Sequence, residues 1–176
     1  MTENSSTTEM IPLENVVLKH ANAGIALGAE HRFAESLEQW RLAAQLADAN
    51  FEGEDLYYWV KGGHGAALCD VGRYRESIAV SKLVRAWTLS LRQPLASMTM
   101  ARAYLALGEA GNAYPHIQDV HRLTGDEVFG LFDTRLISAG RLRQRPKSGR
   151  PSHLLERNAE IVGNGLHHQA AHGRRR

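Results

Sequence analysis

The stretch MARAYLALGEAGNAYPHIQDVHRL, residues 100–123, predicts two short amphipathic helices joined by a tight turn at residues 108–112. Apolar or small side chains recur every three or four residues on both sides of this turn, which is the period of an α-helix. A connection this short joins antiparallel neighbours. The stretch therefore predicts a helical hairpin with these inward-facing members: Ala101, Tyr104, Leu105 and Leu107 on the first helix, and Ala113, Ile117, Val120 and Leu123 on the second.

Two looser copies of this hairpin precede it in the chain. The small residues Gly24, Gly65 and Ala101 occupy equivalent positions, with 41 residues from the first to the second and 36 from the second to the third. A small residue on each helix lets the two helices of a pair cross closely. The pattern predicts two further pairs, with helices at about 12–28, 32–48, 54–70 and 74–91. The second helix of each pair also carries a small residue twelve positions after the anchor, namely Ser36, Ser77 and Ala113.

This pattern resembles the tetratricopeptide repeat, and the segment ALGEAGNA matches the turn of that family especially well. The resemblance covers about residues 13–124, as three repeats. The family's period is about 34 residues, so the longer spacings here place extra residues between the pairs. Leu27 stands where the family usually has an aromatic residue. The resemblance implies an all-α fold, a right-handed superhelical stack of antiparallel helix pairs, and binding of other proteins in a concave face lined by the first helix of each pair.

The rest of the chain predicts three regions. Residues 1–11 are rich in Ser and Thr and are expected to be disordered. Residues 12–140 are expected to form the repeat domain, which a seventh helix at about 127–140 would cap. The composition then changes abruptly to RLRQRPKSGRPSH, so residues 141–176 are expected to be a mostly disordered basic tail.

The charge of the chain is unevenly distributed. Residues 1–134 carry 11 Lys and Arg against 17 Asp and Glu, a net charge of −6, whereas residues 135–176 carry 10 against 2, a net charge of +8. An acidic body disfavours a nucleic-acid-binding domain, because phosphate contacts need clustered positive charge. The single cysteine fits a reducing compartment, and no apolar run approaches the ~20 residues that cross a bilayer. We expect a cytoplasmic protein without a membrane partner.

The candidate partner-binding residues follow from projecting the helical period onto the face that the resemblance implies. The face is apolar, has small residues at its base, and carries Arg102 as its one charged residue. Family members that clamp a carboxylate place several Lys, Arg and Asn side chains there, so an amphipathic helix or apolar segment is the better ligand. An alternative is that Trp59 and Met98 are simply core residues. The predicted face consists of Leu18, Ile25, Trp59, Ala66, Cys69, Leu95, Met98, Arg102 and Leu105.

No pattern in the sequence points to an enzyme. We find no glycine-rich phosphate loop after a strand, no HExxH and no nucleophile elbow. His64 and Cys69 are five residues apart, so they do not share a helix face and make a poor metal pair. No catalytic residue, cofactor or metal is expected.

The sequence thus predicts a non-enzymatic protein–protein interaction module, such as a dedicated chaperone or adaptor. One alternative is an immunity protein that neutralises a cognate toxin. Another is a regulator that contacts nucleic acid through its basic tail, which could equally touch an acidic partner or the acidic body itself. The oligomeric state stays open, with Tyr57 or Trp87 as candidates for a dimer surface.

Overall fold

The computed structural model describes residues 12–125 and consists there of α-helices without strands. Consecutive helices pack against each other as α1·α2, α3·α4 and α5·α6, so the predicted all-α fold of three helix pairs is confirmed. The predicted seventh helix, the N-terminal segment and the basic tail lie outside this range. The helices are α1 (Leu13–Ala29), α2 (Phe33–Asn50), α3 (Asp55–Asp70), α4 (Tyr74–Ser90), α5 (Leu95–Ala106) and α6 (Ala110–Thr124).

The turns within the three pairs share one backbone geometry. The residue two places before the second helix has a positive φ in each turn, at His31 (60°), Gly72 (82°) and Gly108 (75°). The next N–H then reaches back to a carbonyl of the first helix at 2.9 Å, in the bonding pattern of a Schellman motif. The prediction for the third turn was partly wrong: α6 begins at Ala110, so Gly111 and Asn112 belong to its first turn. The Asn112 amide donates to Glu109 Oε2 at 2.9 Å across this turn.

One buried hydrogen bond recurs in the first two pairs. The Ser36 hydroxyl donates to the Gly24 carbonyl oxygen at 2.7 Å, and the Ser77 hydroxyl donates to the Gly65 carbonyl oxygen at the same distance. In each pair, the glycine is the anchor residue of the repeat and the serine is the small residue twelve positions after it. In the third pair Ala101 and Ala113 take these places, and both are fully buried. The chain therefore repeats a contact as well as a pattern of hydropathy.

The junction between the first two pairs is filled by Trp40. A Cβ on Gly63 of α3 would lie 2.2 Å from Trp40 Cη2, and a Cβ on Gly24 of α1 would lie 2.7 Å from its Cδ1. The nearest atoms at Gly62, Gly63 and Gly65 belong to side chains, and at Gly65 the backbone N of Ser81 also lies 3.5 Å from where a Cβ would be. These glycines make room for an indole ring and other side chains between helices.

The junction between the second and third pairs contains no comparably large side chain. Ser81 is the equivalent of Trp40 in the second pair, because each follows its anchor glycine by the same number of residues. Its hydroxyl oxygen lies 2.7 Å from where a Cβ of Gly65 would be. Helices α3 and α5 consequently pack directly on each other, whereas α1 and α3 touch over few residues. The difference in size between Trp40 and Ser81 accounts for this unequal spacing.

Two hydrophobic clusters form the core and meet on α3. The first cluster joins α1, α2 and α3 around Trp40 and Trp59. The second cluster joins α3 to α6 around Cys69, Met100 and Tyr104. Helix α5 is the most buried of the six, with nine of its 12 residues inaccessible. Among the helices described, none combines the length and apolarity that crossing a membrane requires.

Candidate partner-binding face

The nine predicted face residues lie on α1, α3 and α5, the first helices of the three pairs. Because α3 contacts both α1 and α5, these helices are neighbours in the order that the prediction requires. Two groups of side chains are brought together. Leu18, Ile25 and Trp59 belong to the first cluster. The second cluster holds four of the nine: Cys69, Leu95, Met98 and Leu105.

Four of the predicted residues are buried. Trp59 and Met98 are each 7% exposed, and Cys69 and Leu105 are also inaccessible. The Trp59 ring contacts the Trp40 ring edge-on at 5.7 Å between centroids, which fixes it inside the first cluster. Side chains this buried offer a partner little area, in agreement with the alternative in which Trp59 and Met98 are core residues. Their role in binding stays a prediction.

The accessible part of the predicted face is smaller than the whole set. Leu18, Ile25, Ala66 and Leu95 are half-buried, and Arg102 is exposed. Leu18 and Ile25 still pack against the first cluster, and Leu95 packs against the second. These five side chains are the ones that a partner can reach in this conformation.

Arg102 is not a free charge. Its Nη2 donates to Asp70 Oδ1 at 2.8 Å, which ties α5 to the end of α3. The two side chains are 42% and 29% exposed, so the pair lies at the surface. A guanidinium has five N–H donors in a fixed fork, and this ion pair leaves most of them available.

Cys69 has the properties of a structural thiol. Its Sγ lies 3.9 Å from the Thr99 carbonyl oxygen, to which it donates, and burial raises the pKa of the thiol. A thiol with a raised pKa is protonated at neutral pH and is therefore a weak nucleophile and a weak metal ligand. In residues 12–125 no three His, Cys, Asp or Glu side chains come close enough to hold a metal ion.

A network of ion pairs around one buried carboxylate was not predicted from the sequence. The Asp119 carboxylate on α6 is only 6% exposed and accepts hydrogen bonds from Arg85 on α4. The Ser97 hydroxyl donates to Asp119 Oδ2 at 3.1 Å, and Arg122 donates to Oδ1 at 3.2 Å. One carboxylate thus connects α4, α5 and α6. The available signal was an acidic residue between the inward-facing Ile117 and Val120.

A second unpredicted feature is an aromatic cluster at one end of the α3–α4 pair. Tyr58 and Trp87 stack with centroids 5.8 Å apart, and Tyr57 meets Tyr58 edge-on at 5.2 Å. The Trp87 indole N–H donates to Asp55 Oδ1 at 2.7 Å. We refer to Asp55, Tyr57, Tyr58 and Trp87 as the aromatic cluster. The residues considered for a dimer surface, Tyr57 and Trp87, are half-buried parts of it.

Burial disfavours the protonated form of two histidines. His64 and His116 each have a buried Nδ1 without a hydrogen-bond partner among the residues described. Burial lowers the pKa of His64, and nearby Lys61 lowers it further. Burial also lowers the pKa of His116, next to Arg85, while its ring stacks on Tyr104 at 5.7 Å.

The net charge of the described range is close to neutral. Residues 12–125 contain 11 Lys and Arg and 12 Asp and Glu, a net charge of −1. The acidic character expected of the body therefore comes mainly from residues 1–11 and 126–134, which carry acidic side chains and no Lys or Arg. No protein-family model, curated protein or solved structure matches this chain.

Proposed function

We propose that this protein is a non-enzymatic protein-binding module that holds an apolar helix or extended segment of its partner on the face of α1, α3 and α5. The observation that supports the proposal is the partial exposure of Leu18, Ile25, Ala66 and Leu95, on three helices of which α3 contacts the other two. Apolar side chains at helical spacing suit the apolar stripe of an amphipathic helix.

Arg102 supplies the polar contact of the proposed site. Its ion pair with Asp70 fixes the position of the guanidinium, and the remaining N–H donors can bind a carbonyl or carboxylate of the partner. A fixed side chain loses less conformational entropy on binding than a mobile one. We therefore assign the register of the bound segment to Arg102 and its affinity to the apolar residues.

The proposal also covers the handedness of the helix stack, the capping helix and the location of the protein. We propose that the three pairs continue the right-handed superhelix typical of tetratricopeptide repeats, with residues 127–140 as the capping helix and a cytoplasmic location. The repeated Ser–Gly hydrogen bonds and the three equivalent turns support it. A chaperone or adaptor role follows from the apolar character of the face. The net charge of −1 over residues 12–125 gives the immunity alternative no particular support.

The test is selection of ligands from a displayed library of random 15-residue peptides with the full chain as bait. We expect the selected peptides to carry apolar residues at helical spacing. Ala66→Glu should weaken their binding by about tenfold or more, because it buries a charge in an apolar contact. Ala34→Glu is the matched control, since Ala34 is exposed on α2, away from the proposed face.

The two variants separate binding from folding. Both should retain the circular dichroism spectrum of the parent and a similar melting temperature, because Ala34 is exposed and Ala66 is partly exposed. Arg102→Ala should weaken binding as well and broaden the set of selected peptides. Equal binding by Ala66→Glu and Ala34→Glu would exclude the proposed face.

A further inference from the structure

The aromatic cluster is a preformed surface of flat rings. Stacking of Tyr58 on Trp87 and the edge contact of Tyr57 hold the three rings in one arrangement. The hydrogen bond from Trp87 to Asp55 fixes the indole further. Because all three rings are half-buried, they pack on the protein with one part and leave another part at the surface. Rigid aromatic surfaces bind guanidinium groups and proline rings.

Exposed carboxylates border this cluster. Glu52 and Glu54 lie on the connector that leads into α3, directly before Asp55. Among the ion pairs formed within residues 12–125, none includes either glutamate. Lys61 lies over the Tyr57 ring, with its Nζ 5.6 Å from the centroid, and pairs with Asp48. Within the described range, Glu52 and Glu54 therefore remain as two carboxylates without a cation next to the helix that carries the tyrosines. The complement of this surface is a segment that combines cations with flat or proline side chains.

The chain contains such a segment after the last described residue. Residues 141–151, RLRQRPKSGRP, carry five cations, two prolines and no acidic residue. Arginine pairs with carboxylates and stacks on aromatic faces. Proline favours an extended backbone, which docks into aromatic-lined surfaces. The segment therefore matches both properties of the aromatic cluster.

Helix α6 ends at the end of the bundle that carries this surface. Consecutive helices run antiparallel, so α4 and α6 end where α3 begins, and Gly125 lies at the same end of the bundle as the aromatic cluster. Residues 126–140 span about 50 Å if extended and about 22 Å as a helix. Two helix-to-helix steps of about 10 Å each separate α6 from the cluster. The linking residues can cover this distance in either form.

We propose that residues 141–151 of the same chain dock on the aromatic cluster and its bordering carboxylates Glu52 and Glu54. Arginine side chains of the segment lie on the exposed ring faces and pair with the carboxylates, and Lys147 comes close to the connector. The aromatic cluster shares no residue with the proposed partner-binding face, so this proposal does not rest on the proposed function. It also withholds the basic residues from other anionic partners.

Zero-length carbodiimide cross-linking of the full chain tests the contact directly, because it joins an amine only to a carboxylate that touches it. Lys147 is the only lysine after residue 82. We expect it to link to Glu52, Glu54 or Asp55, and not to the carboxylates at the other end of the bundle, such as Glu30 and Glu35. A mixture of isotopically heavy and light chains should yield links within one chain.

Proteolysis of full-length variants supplies the second readout. Arg143 precedes Gln144, so an arginine-specific protease can cut after it. Glu52→Gln combined with Glu54→Gln should raise the rate of this cleavage about threefold or more, as expected for losing exposed charge contacts. The matched control is Glu35→Gln combined with Glu38→Gln, which removes the same charge from α2 and should leave the rate unchanged.

Three results would overturn the proposal. One is cross-linking of Lys147 spread evenly over carboxylates of the whole domain. Another is linking only between heavy and light chains, which would assign the surface to the tail of a second copy. The third is equal cleavage after Arg143 in the parent, the variant and the control. If added DNA then protected Arg143, the tail would bind nucleic acid and not the aromatic cluster.

Discussion

The indole of Trp40 lies against the Cα of Gly63, so that a methyl group at residue 63 would overlap the ring. Neighbouring Gly62 provides the contrast, because a Cβ there would lie 3.5 Å from Leu95 Cδ2, an ordinary contact. Both residues occur within α3 and share its backbone conformation. They differ in what lies beside them.

This contrast predicts opposite effects of the same substitution. Gly63→Ala should lower the free energy of unfolding by about 1–3 kcal/mol, because overpacking outweighs the gain in helix propensity. Gly62→Ala should raise it by up to about 1 kcal/mol, since alanine is the better helix former. Urea denaturation of both variants measures the difference. Two equally destabilised variants would contradict the contact with Trp40.

Asp119 predicts unequal effects of its two arginine partners. Arg85 is 35% exposed and Arg122 is 72% exposed, although both donate to the same buried carboxylate. Arg85→Ala should lower the free energy of unfolding by about 1–2 kcal/mol, because it leaves a buried charge less well paired. Arg122→Ala should cost less than about 0.5 kcal/mol, as expected at the surface.

Replacing the carboxylate itself should cost more than replacing either arginine. Asp119→Ala removes the acceptor of Ser97 and Arg85 together, for a loss of about 2–3 kcal/mol. Thermal and urea unfolding of the three variants give the order directly. If Arg122→Ala lowered the free energy of unfolding as much as Arg85→Ala, the exposure of the arginine would not determine its contribution to stability.

The recurring serine contact can be tested within one helix. Ser77 and Ser90 both lie on α4, and each hydroxyl donates to a backbone carbonyl oxygen at 2.7 Å. Ser77 is fully buried and Ser90 is exposed. Ser77→Ala should lower the free energy of unfolding by about 1 kcal/mol, whereas Ser90→Ala should change it by less than about 0.5 kcal/mol. Similar losses at both sites would remove any special role for the buried bond.

The lowered pKa values of His64 and His116 predict a loss of stability in mild acid. The folded protein binds protons at these rings less readily than the unfolded chain, whose histidines titrate near pH 6.5. Their contribution to stability is therefore fully present above pH 6.5 and is lost as the pH falls from there to the folded-state pKa. Below that pKa it changes no further.

Urea denaturation between pH 7.5 and pH 5 measures this dependence. The free energy of unfolding should fall with pH in the parent, and it should fall less steeply when His64→Gln and His116→Gln are combined. Each single substitution should remove part of the slope. An unchanged slope in the double variant would assign the acid sensitivity to other groups.

The sequence predicted the helices and their pairing well because these depend on local patterns. The anchors Gly24 and Gly65 and their serines identified positions that the structure joins by hydrogen bonds. The start of α5 at Leu95 was less clear from the quoted stretch, which begins at residue 100. Helix propensity and apolar spacing are properties of neighbouring residues, so one chain is enough to reveal them.

The contacts between pairs were harder to predict. A glycine indicates that something comes close, but its own identity does not say whether that is a backbone or, as at Gly63, an indole ring. The role of Asp119 depends on Arg85, which lies 34 residues earlier, and pairing at that distance follows from the packing of helices. Likewise, Trp59 and Met98 have helical spacing suited to a binding face, and only their neighbours determine that they are buried.

The position of α3 between two hydrophobic clusters has a consequence for how the protein opens. Helices α1 and α2 contribute to one cluster only, and so do α5 and α6, whereas α3 contributes to both. Either end can detach while the other cluster still holds α3 in place. Amide hydrogens at the centre of α3 should therefore exchange with solvent last, through complete unfolding, while those of α1 exchange through a smaller cooperative opening.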